Sequence, residues 1–248
     1  MKLVTLNTWG GKVKEPLFDF LKEMKDEVDI FCFQEVLNCK SEDQLEGGKT
    51  PGLCHDSLPL FRKILDSHKG YFRPHYKDWY GLAIFVRKGI KVIEEGEHFV
   101  FKEKGHIPVG DLGFHARNIQ YVTLDTPQGP RTIINFHGLW NGKGKTDTED
   151  RLMQSGKILD FTKELKDPLI LCGDFNLLPS AKSLTMFEDV GLRNLVKEHN
   201  VTSTRTSFYT KPDKYADYVF TSPEMKVSNF SVLPHEVSDH AALFVEFE

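Results

Sequence analysis

The chain contains the stretch Leu169-Ile-Leu-Cys-Gly-Asp-Phe-Asn176, in which four apolar residues lead into a polar turn. A short apolar run that ends in a turn is typical of a buried strand. Aspartate and asparagine favour turns because their side chains hydrogen-bond to the nearby backbone. The stretch therefore predicts a strand that carries Asp174 and Asn176 at its end, although such a turn is common without any function.

Similar apolar runs on both sides of this stretch predict further strands. Together the predicted strands cover residues 2–6, 30–33, 82–87, 91–93, 118–124, 132–136, 169–172, 218–221, 227–232 and 242–247. Apolar residues at helical spacing predict helices over residues 16–24, 58–67, 151–165 and 183–189. The order begins β-α-β, runs through consecutive strands and returns to β-α-β. This order favours an α+β fold with mixed sheets over a doubly wound parallel sheet.

Two segments between these elements predict loops, over residues 38–59 and 202–214. Long loops in compact domains often carry function. The sequence has no repeat and no linker-like composition, so we expect a single domain over residues 1–248.

The composition excludes several classes of protein. With 248 residues, 40% of them hydrophobic, the chain is long enough to bury a core and too apolar to be disordered. Its formal net charge is −4, and a protein that captures polyanions by bulk charge is usually strongly basic. Any phosphate-bearing partner is therefore expected to be held locally. No apolar stretch is long enough to span a membrane, and no signal sequence is evident, so we expect a cytoplasmic protein. We also expect it to be a monomer.

The four cysteines do not form a zinc motif, because no CxxC pair is present. Cys32 and Cys172 lie in apolar runs and are expected to be buried strand thiols. A disulfide between Cys39 and Cys54 is an alternative that the even count allows. Reduced thiols are the expectation for a chain without a secretion signal.

Polar side chains recur where the predicted strands end or begin. They are Asn7, Glu35, His137, Asp174, Asn176, Asp217, Asp239 and His240. Each taken alone has an ordinary structural explanation, such as a solvated strand end, a turn or a satisfied histidine. Strand-end loops on a rigid sheet are nevertheless where catalytic groups cluster.

The residue types suit one chemistry. Hard oxygen ligands such as Glu35 and Asp239 favour Mg²⁺ or Mn²⁺ over zinc. Histidines can donate hydrogen bonds to phosphate oxygens, and a neighbouring carboxylate such as Asp217 can fix the imidazole tautomer. Asp174 can orient and deprotonate a water, and Asn176 can donate to a non-bridging oxygen. This is the inventory for metal-assisted hydrolysis of a phosphate ester.

Six short motifs, in order, resemble the endonuclease/exonuclease/phosphatase superfamily, which has a deoxyribonuclease I-like fold. They are Leu6-Asn7-Thr8-Trp9, Phe33-Gln34-Glu35, Asn135-Phe136-His137, Gly173-Asp174-Phe175-Asn176, Ala216-Asp217-Tyr218 and Ser238-Asp239-His240. The resemblance extends over essentially the whole chain. It implies a four-layer α/β/β/α sandwich of two packed mixed β-sheets flanked by helices, with the site at one edge of the sheets.

The resemblance also implies roles for individual residues. Glu35 resembles the main Mg²⁺ or Mn²⁺ ligand, with Asn7 and Asp239 nearby. Asp174 resembles the residue that activates water, and Asn176 a phosphate or water contact.

Both histidines match phosphate-binding positions of the superfamily. His240 resembles the histidine that binds the scissile phosphate, paired with Asp217. His137 matches the second histidine of the nuclease I, sphingomyelinase and phosphatase branches, where the abasic-site endonucleases carry a tyrosine motif. The segment 137–148 resembles that of short bacterial members whose substrates are uncharacterised.

Four further residues are candidates for contacts with the substrate. Lys143 and Lys145 follow Gly142 and Gly144 in the segment after His137, and the alternative for both is an exposed turn. Arg117 is a candidate to neutralise the site carboxylates, or else it forms an ordinary ion pair. Trp140 is a candidate to stack on a base, or else it packs in the core. Basic residues of the loop 202–214, among them Arg205 and Lys211, are weighed as steering groups or as solvated charges.

The leading hypothesis is a divalent-metal-dependent phosphoesterase that hydrolyses a phosphodiester, in DNA, RNA or another nucleotide-containing substrate, by in-line attack of an activated water. The alternative is a phosphoesterase for a phospholipid such as sphingomyelin, or for a small metabolite such as an inositol phosphate. A catalytically inactive binding module is the third hypothesis. It is disfavoured because Glu35, Asp174, Asp239 and His240 are all present.

Overall fold

A computed structural model describes residues 1–39, 52–110 and 112–248. Its strands are β1 (Lys2–Asn7), β2 (Ile30–Leu37), β3 (His68–Tyr76), β4 (Tyr80–Arg87), β5 (Lys91–Phe101), β6 (Arg117–Asp125), β7 (Arg131–His137), β8 (Leu169–Asp174), β9 (Arg193–Asn194), β10 (Asp217–Thr221), β11 (Val227–Val232) and β12 (Leu243–Phe247). Its α-helices are α1 (Lys14–Met24), α2 (Ser57–Ile64), α3 (Glu149–Glu164), α4 (Lys182–Asp189) and α5 (Leu195–Glu198).

The strands form two six-stranded mixed sheets that pack face to face. The first sheet has the order β11-β12-β1-β2-β4-β3, and the second has the order β5-β6-β7-β8-β10-β9. The pairs β1–β2 and β7–β8 are parallel, and their neighbouring pairs are antiparallel. Helices α1 and α2 cover the first sheet, and α3 and α4 cover the second. The predicted α/β/β/α sandwich is thereby confirmed.

Strand β2 shows how the sequence builds these layers. Phe31 and Phe33 pack among the apolar residues of α1 and α2, whereas Ile30 and Cys32 belong to the core between the sheets. Successive side chains of a strand point to opposite faces, so a strand buried on both faces reads as a continuous apolar run. This explains why Ile-Phe-Cys-Phe shows no polar alternation.

A buried pair of amides ties the two sheets together beside the strand ends. Gln34 Nε2 donates to Asn135 Oδ1 at 2.7 Å, and Asn135 Nδ2 donates to the carbonyl of Phe33 at 3.0 Å. Both side chains are fully buried, and buried amides without partners are destabilising. The pair therefore fixes how β2 and β7 face each other, one residue before Glu35 and two residues before His137.

Gly173 is required by the close packing of β8. Its φ is +135°, and a Cβ at this position would lie 2.0 Å from the carbonyl oxygen of Phe136. We expect Gly173→Ala to lower the free energy of unfolding by on the order of 3 kcal/mol, because the clash involves backbone. Gly156 in α3 has open space around it, so Gly156→Ala should instead stabilise by roughly 0.5–1 kcal/mol. Urea denaturation of both variants checks this, and equal effects would contradict it.

Most predicted elements are present, with shifted ends. The short strand predicted at residues 91–93 extends to Phe101. The apolar pattern missed this extension because β5 is largely exposed and carries charged residues. The helix predicted over residues 58–67 ends at Ile64, and β3 begins at His68. Strand β3 was not predicted because Gly70, Pro74 and charged residues interrupt its apolar pattern.

Other expectations have mixed outcomes. The predicted loop 202–214 contains neither helix nor strand, apart from a bridge between Arg205 and His240. Residues 40–51 of the predicted loop 38–59 lie outside the described residues. The four cysteines are buried free thiols, as expected. In the described part of the chain, no helix has the length and hydropathy needed to cross a membrane. The single domain stays a prediction.

Candidate active site

Most of the predicted site residues meet at one end of the two sheets. Asn7 and Glu35 lie at or near the carboxyl ends of the parallel strands β1 and β2, and His137 and Asp174 end the parallel strands β7 and β8. Asp217 begins β10, which is antiparallel to β8 and pairs it opposite Asp174. Parallel strands end at the same sheet edge, and an antiparallel neighbour begins there. The topology therefore brings residues that are far apart in the sequence together in one cluster.

Glu35 reaches this cluster through an irregularity in β2. The pairing of β2 with β4 shifts between Phe33 and Val36, and Glu35 has φ of +57°. A bulge of this kind redirects a side chain out of the sheet alternation. Asn7 Nδ2 then donates to Glu35 Oε1 at 3.1 Å and to Asp174 Oδ2 at 2.9 Å. Asn7 thus joins two carboxylates of the site, while its own Oδ1 accepts from the backbone of Trp9.

Asp174 is at the centre of the cluster. Its Oδ1 accepts from the backbone N–H of Asn176 at 2.8 Å, which fixes the carboxylate. Its Oδ2 lies 3.6 Å from His137 Nε2 and 3.7 Å from His240 Nε2. Asn176 itself has φ of +54°, and its side-chain amide donates to the carbonyl of Gly138. Asp174 therefore has one oxygen held by the turn and one directed at both histidines.

His240 is oriented by Asp217. Its Nδ1 lies 2.9 and 2.8 Å from the two carboxylate oxygens of Asp217, so Nδ1–H is the donor and Nε2 faces Asp174. The backbone N–H of Asp217 in turn donates to Thr204 Oγ1 at 3.2 Å. His240 and Asp217 are 5% and 2% exposed. The carboxylate therefore fixes the ring in one tautomer and one orientation.

Burial controls the charges in the cluster. It raises the pKa of Glu35 to about 7, with the nearby carboxylates of Asp174 and Asp239 adding to the effect. Burial also raises the pKa of Asp217 and lowers the pKa of His240, so it disfavours the charged form of each group. Burial lowers the pKa of His137 well below its usual value, and the Arg117 guanidinium adds to this. His137 is consequently a neutral imidazole at physiological pH.

The donor set is suitable for a divalent cation. Oδ1 of Asp239 is buried without a hydrogen-bond partner in the described residues, next to the carboxylates of Glu35 and Asp174. Ligand atoms of Asp174, Asp217 and His240 also lie within 4.8 Å of one another. His240 Nδ1 is already bonded to Asp217, so that triad works better as a hydrogen-bonded chain. Oxygen-rich carboxylate sites are typical of Mg²⁺ and Mn²⁺.

The cluster forms the floor of a cavity of about 390 Å³. Aromatic side chains line it at Trp9, Tyr80, Trp140 and Tyr209. Cationic side chains line it at Arg117, Lys145, Arg205 and Lys211. The chain as a whole is acidic, yet this cavity concentrates cations around a carboxylate floor. These cations offer an anionic ligand local charge partners, and local capture of a phosphate stays a prediction.

Arg117 is an unusual feature of this cavity because it is a charged group that is only 2% exposed. Its Nη2 donates to the carbonyl of Gly113 at 3.3 Å, and the hydroxyl of Tyr80 also interacts with it. Its Nε and Nη1 have no hydrogen-bond partner within the described ranges. Buried guanidinium donors without partners are destabilising unless a ligand pairs with them.

The loop between β7 and α3 is anchored by Arg151, a residue of the first turn of α3. Arg151 donates to the carbonyl of Leu139 from both Nε and Nη2 at 3.2 Å, and to that of Thr146 at 2.6 Å. Lys145 is directed inward, and its Nζ donates to the carbonyl of Tyr215 at 2.6 Å. Lys143, predicted beside it, is exposed and does not line the cavity. The glycine-spaced pair thus separates into one cavity residue and one surface residue.

Several cavity residues had no assigned role in the sequence-based site. They are Gly113, His115, Tyr209 and, weighed only as steering groups, Arg205 and Lys211. Arg205 Nη1 donates to Asp239 Oδ2 at 3.2 Å, and the bridge between Arg205 and His240 brings the loop 202–214 to the site. The signal available in the sequence was the cluster of basic residues and tyrosines in a loop just before Asp217.

Comparison with known proteins places these observations in context. The model of the Endonuclease/Exonuclease/phosphatase family matches residues 4–240 of the chain. No curated protein matches the sequence significantly.

Solved structures with the same fold include a mannosyl-6-phosphatase from Bacteroides thetaiotaomicron, with a TM-score of 0.75 and 19% identity over 100% of this chain and 99% of that chain. A family protein from Leptotrichia buccalis has a TM-score of 0.73 and 20% identity, over 100% and 99% of the two chains. A humanized TDP2 of D. rerio has a TM-score of 0.72 and 14% identity, over 100% and 98%. At these identities the similarity shows the fold.

Proposed function

The chain belongs to the endonuclease/exonuclease/phosphatase family, and from that membership we propose that it is a divalent-metal-dependent phosphoesterase that hydrolyses a phosphodiester by in-line attack of water. The observation that carries the proposal is the arrangement of Asp174 between His137 and His240, on the floor of a cavity that concentrates cations. This arrangement offers a group to activate water and groups to bind the phosphate in one place.

Glu35 and Asp239 are the residues proposed to hold Mg²⁺ or Mn²⁺. Glu35 is brought to the site by its bulge, and Asp239 offers a buried oxygen without a partner among the described residues. Asn7 orients Glu35 through its amide nitrogen, which makes it a positioning residue in this geometry. A bound divalent cation would supply Lewis-acid polarisation of a phosphate oxygen and offset the carboxylate charge.

Asp174 is proposed to position and deprotonate the attacking water. Its Oδ2 accepts a hydrogen bond from Asn7 Nδ2, and its Oδ1 accepts one from the backbone N–H of Asn176. A catalytic base needs a fixed orientation before it needs an unusual pKa. The hydrogen bond from Asn176 provides that orientation.

The phosphate is proposed to lie between the two histidines and Arg117. His240 Nε2 faces Asp174, and Asp217 holds the imidazole from the other side. Arg117 contributes its Nε and Nη1, which have no hydrogen-bond partner among the residues that the structure describes. A bound phosphate, together with Asp217, would favour the doubly protonated imidazole of His240, whose Nε2–H can then donate. Donors aimed at a phosphate from a desolvated wall stabilise the charge that develops on its oxygens.

The substrate is proposed to be a nucleotide-containing ester, because aromatic side chains line the cavity beside the cations. Aromatic rings bind bases by stacking. The test is hydrolysis of labelled single-stranded and double-stranded DNA and RNA, and of dinucleotides, with Mg²⁺ or with EDTA. Metal-dependent cleavage of any of them supports the proposal. Cleavage of none of them contradicts the nucleotide assignment.

A small phosphorylated metabolite is the second candidate, and the size of the cavity favours it. A volume of about 390 Å³ is in the range of pockets that hold small molecules. A structurally similar protein is a mannosyl-6-phosphatase. Inositol phosphates, hexose phosphates and sphingomyelin belong in the same assay, and release of phosphate or phosphocholine from one of them, with no nucleic-acid cleavage, would favour this candidate.

A further inference from the structure

Four cationic side chains of the described residues line the cavity, and three of them affect the pKa values of different histidines. Burial is the main cause that lowers the pKa of both rings. Beyond burial, Arg117 is the strongest cation acting on the pKa of His137, whereas Arg205 and Lys145 act on the pKa of His240. Arg117 serves the phosphate in the proposed reaction. The other cations, Lys145, Arg205 and Lys211, are together with Tyr209 called the cationic wall below.

Lys145 is the most unusual member of the cationic wall. It is only 3% exposed, yet no carboxylate in the described residues lies within salt-bridge distance of its ammonium group. One of its three N–H groups donates to the carbonyl of Tyr215. Burying an ammonium group without an anionic partner is unfavourable, and burial accordingly lowers the pKa of Lys145 to about 8. The site therefore holds a buried ammonium group that has no direct ion pair among the described residues, although Asp174 and Asp217 favour its charge from a distance.

Arg205 adds a second cation to the same wall. Its side chain is 4% exposed and has one hydrogen bond to Asp239, and its Nε has no partner in the part of the chain described. The guanidinium carbon lies 4.1 Å from the ring centre of Tyr209, and Lys145 Nζ lies 4.9 Å from the same ring centre. The tyrosine ring thus holds both cations in place through cation–π contacts.

Lys211 extends the cationic wall outward. It is exposed, lines the cavity, and its Nζ lies 5.9 Å from the ring centre of Trp140. The cationic wall therefore runs from a buried lysine at the floor to a solvated lysine at the mouth. Like charges repel each other, so a bound anion would stabilise this arrangement.

We propose that the cationic wall is a second anion subsite, which binds a phosphate group of the substrate other than the one that is hydrolysed. This rests on the proposed phosphoesterase function and sharpens it, because the preferred substrate then carries two phosphate groups. Successive phosphates of a nucleic-acid strand and a bisphosphorylated metabolite share this chemistry. The subsite needs the ammonium of Lys145 and the guanidinium of Arg205, with Tyr209 between them.

The first test is binding of inorganic phosphate in EDTA, measured by isothermal titration calorimetry. Hydrolysis is not needed. Every protein compared carries Arg117→Met, because free phosphate can also bind at the proposed catalytic position beside Arg117. We expect Lys145→Met to weaken the binding by at least about tenfold, since a buried charge-assisted contact is lost. Lys143→Met, on the same loop and outside the cavity, should leave the affinity unchanged, and Lys145→Arg should retain most of it. Equal affinity with and without Lys145→Met would overturn the proposal.

The second test compares paired substrates in the presence of Mg²⁺. A thymidine dinucleotide with and without a 5′-phosphate represents the nucleic-acid source, and a hexose bisphosphate with its monophosphate represents the metabolite source. Within one pair, we expect kcat/KM to favour the doubly phosphorylated compound by about tenfold or more, and Lys145→Met to remove most of that preference. A wild-type ratio near one in both pairs would overturn the proposal. If neither pair is hydrolysed, the proposed function fails and the binding experiment alone decides the subsite.

Discussion

Replacing Asp174 with asparagine is expected to lower kcat/KM for the preferred phosphate ester by at least about 10³-fold, with the fold retained and a stability loss of about 1–2 kcal/mol, because the new Nδ2 faces the Asn7 amide donor. Asparagine preserves the shape of the side chain and can still accept from the N–H of Asn176, whereas it cannot take a proton from water. The loss of a base together with a charge at the floor of the site explains the size of the effect. Steady-state kinetics in Mg²⁺, with thermal unfolding to verify the fold, measures it.

The matched control is Asp160→Asn, because Asp160 is an exposed aspartate of α3 that pairs with Lys163. Its kcat/KM should remain within about twofold of wild type, since exposed ion pairs contribute little. If Asp174→Asn keeps more than a tenth of the wild-type activity, Asp174 is not the base.

Replacing Glu35 with glutamine is expected to stabilise the metal-free protein at pH 8 and to abolish its stabilisation by Mg²⁺. Burial raises the pKa of Glu35 to about 7, from an ordinary value of 4.5. Between these values the folded state retains a proton that the unfolded state has lost. The unfolding free energy therefore falls as the pH rises through this range, and the penalty is complete above pH 7. Glutamine carries no charge and avoids it.

The side chain of Glu35 is 24% exposed, so solvent screens part of this penalty. We expect Glu35→Gln to gain on the order of 2 kcal/mol at pH 8 and to gain little near pH 5. Differential scanning fluorimetry of metal-free protein across this range, with and without Mg²⁺, measures both effects. The exposed Glu164 of α3 supplies the control Glu164→Gln. The account is wrong if the two variants melt alike at pH 8, or if Mg²⁺ still stabilises Glu35→Gln.

The sequence pattern was sufficient to predict an α+β fold with mixed sheets, because its central strands are apolar on both faces, whereas the four-layer sandwich was implied by the resemblance. Runs such as 30–33 and 169–172 are too short for typical helices and favour buried strands, and the parallel pairs they form carry the polar residues of the site. Strand β3 could not be predicted in this way, because Pro74 and Gly70 are tolerated by partners that lie elsewhere in the sequence. Its place at a sheet edge depends on tertiary pairing with β4, and the strand propensities of its residues do not predict it.

The candidate site shows a similar division. Glu35, Asp174 and His240 were identified as strand-end residues, and the topology explains why such residues meet. The bulge at Glu35 and the burial of the Arg117 guanidinium depend on packing between the sheets, which no local pattern reveals. The separation of Lys145 from Lys143 depends on the anchoring of their loop by Arg151. Which lysine faces the substrate is thus decided by hydrogen bonds to backbone carbonyls.

The central claim is that Glu35, Asp174 and His240 form the catalytic centre of a metal-dependent phosphoesterase. The most direct measurement is the initial rate of hydrolysis of bis(p-nitrophenyl) phosphate and p-nitrophenyl phosphate by protein stripped with EDTA and then titrated with Mg²⁺ or Mn²⁺. The account predicts no turnover without metal, saturable recovery with it, and no recovery in Glu35→Gln. Turnover that persists in EDTA, or recovery that is equal in Glu35→Gln and wild type, would contradict it.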